Sequence, residues 1–347
     1  MDLILASIFC AIIALISRKT GFTPIPLYLI IGFILGYYGI IKGGESLKVV
    51  SHLGIIFLLF YIGMKITPSG LKKNFNKILL AGIFDFLTNL IPVFLILKFL
   101  GLGLLDIIVI SMAVYISSSA INLQLLVERK KLIFSFAETV VWLMIFEDIV
   151  LVIFIAFLSA VNIFEFSRFF LLLIPTYLLY RYHRPISNIF RRDDEIPYLA
   201  TFFLPTFILY LVEKLRISEV LTAILFGMSM AKYEIEKFIY PFKEVFMALF
   251  FIYSGSMIRI ENINFLYTLV LLIFALIGKF IGSYLIAITT HKSLSDTIEI
   301  FKYTVARGEL SVIVISLYAP GYSGIIAIII LITSILSTIL TRIEPRS

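Results

Sequence analysis

The chain is 347 residues long, 61% hydrophobic and only 15% charged, with a mean hydropathy of +1.08. This composition excludes a water-soluble globular domain and points to a chain that lives in a bilayer. The net charge of +7 calls for no nucleic-acid partner, because short cytoplasmic loops over an anionic leaflet carry such an excess.

Runs of the roughly 20 apolar residues that cross about 30 Å of hydrocarbon recur from end to end. Thirteen spans are expected, near 3–17, 25–41, 48–66, 77–99, 104–126, 138–161, 166–182, 198–213, 217–231, 242–258, 263–288, 298–318 and 323–341. The first lacks the basic start and small-residue cleavage site of a signal peptide and is kept as a span. With the amino terminus outside, the inside segments carry 20 Lys and Arg and the outside loops 7. That asymmetry predicts an odd number of spans and a cytoplasmic carboxyl terminus. The only long polar connection, 181–198, reads as a hinge between two halves. The chain stops soon after the last span, so no cytosolic regulatory domain is expected.

In chain order, the first unusual polar position is Asp85, mid-span beside Asn89 and Pro92, able to line a cavity or accept a helix bond. Span 5 holds ISSSAIN, three serines and an asparagine where hydrocarbon is expected. Span 6 holds Glu147 and Asp148 side by side, with Glu138 at its interfacial start. A carboxylate at this depth costs at least about 2.5–3.5 kcal/mol, so the pair reads as an ion or proton site. Adjacent helical residues point about 100° apart, so the two acids meet different neighbours and do different jobs. In span 11, Lys279 lies too deep to snorkel and needs a carboxylate, for which Glu147 is the obvious candidate. In span 12, ARGELS sets a glycine between Arg307 and Glu309, read as a local pair that stabilises a break.

The halves also resemble each other. LLFYIGMKI (58–66) is echoed by FFIYSGSMI (250–258), aligning Gly63 with Gly255 at an offset of 192. The offset lays Asp85 near Lys279 and the Ser117–Ser119 cluster over Glu309–Ser311. The matched elements are seven spans apart, an odd number, so the second copy is inserted upside down. This is the inverted-repeat plan of secondary transporters. Spans 5 and 12, at matching positions, are predicted to be broken helices, since irregular backbone at this depth is tolerated only where it lines a protein cavity. The fold class is therefore an all-α polytopic membrane protein of about 13 helices, with two inverted repeats and crossing broken helices. No phosphate loop, GxSxG elbow or HExxH motif occurs. Cys10 is the single cysteine, and His52, His183 and His291 are far apart in sequence. Intrachain disulfides and Cys- or His-based metal clusters are not expected.

At these residues the chain resembles the monovalent cation:proton antiporter superfamily, which includes sodium/proton exchangers and potassium efflux antiporters. ISSSAINLQLL resembles that family's broken helix, commonly written SSTA. IFEDI resembles its acidic pair, GKFIG its basic helix and ARGELSVIV its second broken helix. The motifs fall in family order over roughly spans 2 to 13. The resemblance implies a plasma-membrane homodimer without cofactor, exchanging Na⁺ for H⁺ by alternating access. Residues 1–70 and 198–262 would form the dimerisation scaffold, 163–197 a linker span and hinge, and 71–162 with 263–347 a mobile core. Asp148 would bind the cation and the proton, with Ser118 and Ser119 beside the Na⁺, and Lys279 would pair with Glu147. Where this chain has Glu147, electrogenic relatives have Asp, electroneutral ones Asn and many potassium efflux antiporters Gln. The carboxylate favours electrogenic Na⁺/H⁺ exchange; K⁺/H⁺ exchange or electroneutral Na⁺/H⁺ exchange is the alternative. A membrane-embedded hydrolase would need a second acid motif, which is missing. A channel would want rings of ligands about a symmetric pore, which a broken-helix pair with a buried lysine does not supply.

Overall fold

In the computed structural model the described residues are 1–20, 22, 24–65, 75–159, 172–183, 187–215, 219–233, 235–258, 264–291 and 293–342, and they contain helices and no strand. The helices are α1 (Asp2–Thr20), α2 (Pro24–Tyr37), α3 (Glu45–Lys65), α4 (Phe75–Phe99), α5 (Leu104–Tyr115), α6 (Ser119–Glu128), α7 (Ser135–Ser159) and α8 (Leu173–Arg181). They continue as α9 (Ile196–Leu215), α10 (Glu219–Ser229), α11 (Glu236–Ser256), α12 (Phe265–Ile286), α13 (Ser295–Lys302), α14 (Glu309–Tyr318) and α15 (Ser323–Arg342). Among the described residues, six stretches are long and apolar enough to cross a bilayer: Asp2–Thr20, Glu45–Met64, Phe75–Phe99, Glu236–Ser256, Phe265–His291 and Pro320–Arg342. Pro24–Tyr37, Leu104–Tyr115 and Ile196–Ile208 are shorter apolar helices. The chain is a membrane protein. Residues 160–171, where the seventh expected span begins, lie outside the described residues, as do 184–186 of the midpoint loop.

The two spans expected to break are each two short helices. The first stops at Tyr115 and resumes at Ser119; the second stops at Lys302 and resumes at Glu309. In the first break Ile116 and Ser118 are extended, and the Ser118 side chain caps α6 by accepting from Ile121 N.

Helix order repeats along the chain. Glu45 to Glu236, Phe75 to Phe265, Leu104 to Ser295 and Ser119 to Glu309, the starts of corresponding helices, are each 190 or 191 residues apart. Packing follows the repeat reciprocally. A Cβ on Gly255 of α11 would stand 2.4 Å from Leu29 O of α2, and one on the corresponding Gly63 of α3 would stand 2.3 Å from Ile224 O of α10. α11 thus seats against α2 and its counterpart α3 against α10, at backbone-to-backbone range that only glycine permits.

Two compact units result. One comprises 1–7, 43–72 and 149–253; the other comprises 8–42, 73–148 and 254–347. The first is held by an aromatic core in which Phe57 of α3 stacks on Phe246 of α11 at 5.2 Å between ring centroids. The second unit contains both helix breaks and the buried charges.

Candidate functional site

Glycines in GKFIG bring the buried charges of α12 and α4 together. A Cβ on Gly278 would stand 2.4 Å from Thr88 O, and one on Gly282 would stand 2.7 Å from Thr88 Oγ1. This small-xxx-small pair lets α12 lie directly on α4, which delivers Lys279 to Asp85. Lys279 Nζ is 2.8 and 3.0 Å from the two Asp85 carboxylate oxygens and 2.8 Å from Glu147 Oε1 of α7. The three ammonium protons therefore face three carboxylate oxygens. Asn89, one turn beyond Asp85, donates its amide to Asp85 Oδ1 at 3.0 Å.

Glu147 is tied at both ends. Its second oxygen accepts from Ser117 N in the first break, and Ser117 Oγ lies 2.9 Å from Glu147 Oε1. The same hydroxyl lies 2.9 Å from Thr304 O in the second break. Having one proton, it donates to one of the two, and it accepts from Arg307 Nη1 at 3.3 Å. Arg307 Nη2 donates to Asn89 Oδ1 at 3.4 Å, and its Nη1 reaches Thr304 O at 3.3 Å. Arg307 lies in the field of both Asp85 and Glu147. Asp85, Glu147, Lys279 and Arg307 are each at most 1% exposed. Their formal charges sum to zero, the condition on which buried ions are tolerated.

The breaks cross at Ser118. Its amide donates to Ala306 O at 2.8 Å, and Ser311 Oγ donates to Ile116 O at 3.3 Å. A Cβ on Gly308 would stand 2.4 Å from Ser118 Cβ, so the crossing requires glycine there. Unravelled backbone frees amides and carbonyls that hydrocarbon cannot satisfy. Helix α15 supplies the partners for the second break. Thr333 Oγ1 accepts from Arg307 N at 3.1 Å, Ser334 Oγ donates to Arg307 O at 3.1 Å, and Ser337 Oγ donates to Lys302 O at 2.7 Å. The N-terminal ends of α6 and α14, each carrying partial positive charge, and the C-terminal ends of α5 and α13, carrying partial negative charge, meet at these breaks.

Asp148, the next residue on α7, is half-buried where Glu147 is buried. Its charge acts, with those of Asp85, Glu147 and Arg307, on the hydroxyl of Tyr115 at the end of α5. Of the residues singled out from sequence, the structure brings Asp85, Glu147, Lys279 and Arg307 into one bonded network, with Ser118 at the crossing. Ser119 is the first residue of α6 and half-buried. Glu309 begins α14, and its side chain lies outside the described residues, as does the local pair with Arg307; the described contacts of Arg307 are with Ser117, Thr304 and Asn89. Ser117, Tyr115 and the α15 hydroxyls were not singled out individually. The signal for the last was the run TSILSTILT (333–341), whose hydroxyls at Thr333, Ser334, Ser337, Thr338 and Thr341 are all buried and share one helical face.

Buried, charge-balanced residues bracing two crossed helix breaks define a membrane transporter for small ions rather than an enzyme with a reacting group. A family model described as "Sodium/hydrogen exchanger, transmembrane" matches residues 4–343. The chain belongs to this family of transmembrane cation/proton antiporters. Among its relatives, the K⁺/H⁺ antiporter subunit KhtU of Bacillus subtilis is 26% identical, covering 98% of this chain and 92% of that one. The ammonium/H⁺ antiporter subunit AmhT of Alkalihalophilus pseudofirmus is also 26% identical, covering 95% and 89%. The sodium proton antiporter MjNhaP1 from Methanocaldococcus jannaschii shares the fold, with a TM-score of 0.70 at 17% identity over 98% of this chain and 96% of that one.

Proposed function

We propose that this protein exchanges a monovalent cation for protons by alternating access, with Asp148 as the carboxylate for which cation and proton compete. The observation that carries this reading is the neutral, hydrogen-bonded set Asp85–Lys279–Glu147–Arg307 adjoining Asp148. Its charges hold the crossed breaks, which leaves the neighbouring acid on α7 as the group that titrates. Loss of the Asp148 proton makes the cation site, and a bound cation keeps the group ionised. Competition at one carboxylate is sufficient for obligatory exchange. Ser118 and Ser119 at the start of α6 would supply neutral oxygens and the positive helix end beside the cation.

Glu147 decides the stoichiometry. From sequence, a carboxylate at this position favoured electrogenic exchange. Its bonds to Lys279, Ser117 N and Ser117 Oγ favour a static role, in which one proton moves for one cation. For the cargo we propose K⁺ or an ion of its size class such as NH₄⁺, since two relatives matched over nearly their whole length carry those ions in their names. Na⁺, the expectation from sequence, remains the second reading, supported by the family description. The thirteen spans would comprise two inverted repeats, the amino terminus would lie outside and the carboxyl terminus in the cytoplasm, as the loop charges favour. The protein would assemble as a homodimer, with residues 1–70 and 198–262 contributing the scaffold.

Proteoliposomes loaded with a pH-sensitive dye test this directly. Addition of K⁺, NH₄⁺, Na⁺ or Li⁺ should drive proton efflux with the first two favoured, and the reversal point should track a 1:1 gradient ratio. Cation flux that follows voltage without a proton gradient would overturn exchange. A reversal point that depends on membrane potential would overturn the static Glu147.

A further inference from the structure

Tyr115 is the last residue of α5, immediately before the first break. Its side chain is fully buried, and its ring sits edge-on to Phe86 at 5.5 Å between centroids. Its hydroxyl has no hydrogen-bond partner, although the charges of Asp85, Glu147, Asp148 and Arg307 all act on it. A phenol carries one donor and acceptor lone pairs. Left unmatched in the interior, such a group is destabilising. Surrounding carboxylates would ordinarily take its proton in a hydrogen bond, and here none does. The Phe86 contact fixes the ring, so the hydroxyl is held in place by packing and not by a polar bond. Such an arrangement suits a group whose partner comes and goes.

We propose that the Tyr115 hydroxyl is a ligand of the transported monovalent cation, its oxygen turned to the ion and its proton to a carboxylate of the site. The inference rests on the exchange reading above and adds a ligand that none of the sequence motifs contains. An alkali ion would take the phenol lone pair directly, and an ammonium ion would donate a proton to it, so the role is the same for either cargo. When the cation leaves and Asp148 takes a proton, the hydroxyl loses its partner. Tyr115 thus favours the cation-loaded state over the proton-loaded one.

Tyr115→Phe removes the hydroxyl and keeps the ring against Phe86. Binding is read from cation-dependent thermal stabilisation of the purified, detergent-solubilised protein titrated with KCl, NH₄Cl or NaCl against choline chloride. Exchange is read in proteoliposomes with the same ions over a pH series. The variant should melt at or above wild type in choline chloride, because the substitution removes an unmatched buried hydroxyl and keeps the ring. Its half-saturating cation concentration should rise about tenfold, the scale of one hydrogen bond to a charged group, with maximal exchange within twofold. At a fixed cation concentration well above the high-pH half-saturation of both proteins, its half-maximal pH should move up by about one unit, because a tenfold weaker cation competes only with tenfold fewer protons. Unchanged half-saturation and an unchanged pH profile would overturn the proposal, as would a fall in maximal rate alone. Wild type that is stabilised by cations yet moves no protons would overturn the exchange reading while the binding titration still scores Tyr115. Wild type with no cation-dependent stabilisation would overturn both.

Discussion

Replacing Lys279 by Gln tests whether the buried charges are held as a balanced set. Wild type places two carboxylates and two cations in a region at most 1% exposed, with Lys279 bonded to Asp85 and Glu147 at 2.8 Å each. Glutamine leaves a net charge of −1 there, and breaking a buried pair from one side costs about 3–5 kcal/mol, because the abandoned ion stays in low dielectric. That corresponds to a loss of about 10²–10⁴ in the folding equilibrium. The more telling variant adds a second lesion: Asp85→Asn with Lys279→Gln returns the sum to zero. The double variant should be more stable than Lys279→Gln alone, with a coupling energy of about 2–3 kcal/mol in the cycle completed by Asp85→Asn. Thermal melts of the purified protein in detergent at neutral pH, followed by loss of the monodisperse size-exclusion peak, measure all four corners. A double variant no better than the additive sum of the singles would refute the charge-balance argument, and with it the static role given to Glu147.

Asp148→Asn should abolish exchange with every cation while the protein expresses and melts close to wild type, because the amide can contact a cation but cannot titrate; pH-driven cation flux in this variant would remove Asp148 from its role. Gly308→Ala places a methyl group 2.3 Å from Ser118 Oγ and 2.4 Å from Ser118 Cβ, so the crossing must move; the expected outcome is a destabilisation of about 1–3 kcal/mol and loss of most transport, measured by melting and by proteoliposome flux. Ser118→Ala with Ser119→Ala should raise the half-saturating cation concentration more than it lowers maximal rate, and should cost about 1 kcal/mol of stability through the lost cap on α6, for which Ser118 accepts from Ile121 N.

The helical, membrane-spanning character was legible because hydropathy reports a bulk property that each residue contributes independently. The two breaks were legible for a related reason: serines, asparagine and glycine between charges are local chemical anomalies in an apolar run. The repeat showed through a nine-residue echo, and helix starts 190 or 191 residues apart carry it along the chain. What sequence left open was which partner each buried charge would take. Lys279 was assigned a single carboxylate by elimination, yet it bonds two, because Gly278 and Gly282 let α12 lie against α4. The glycines were visible, but which helix they faced is a tertiary fact. Arg307 was read with Glu309, whose side chain lies outside the described residues; its described side-chain bonds go to nearby Thr304 O and also to Ser117 and Asn89, 190 and 218 residues away. The two distant partners are a tertiary fact: the unwound segment 303–308 lets the side chain reach across the crossing.

Position in that crossing separates the two adjacent acids. Both sit in the same helix at the same depth, so composition and hydropathy treat them alike. Glu147 turns toward the side where α12 and the first break converge, and there it meets an ammonium, a backbone amide and a hydroxyl. The ammonium and the amide donate to its carboxylate, the hydroxyl lies beside it, and together they join α7, α12 and the α5–α6 break. These bonds tie the contact between the breaks to Lys279 and to Glu147. Asp148, rotated about 100° away, is half-buried. Under the proposed exchange, Glu147 would stabilise the discontinuity and Asp148 would be the group that titrates beside it. Their adjacency on α7 would then keep Asp148 registered to the half-helix ends throughout the cycle.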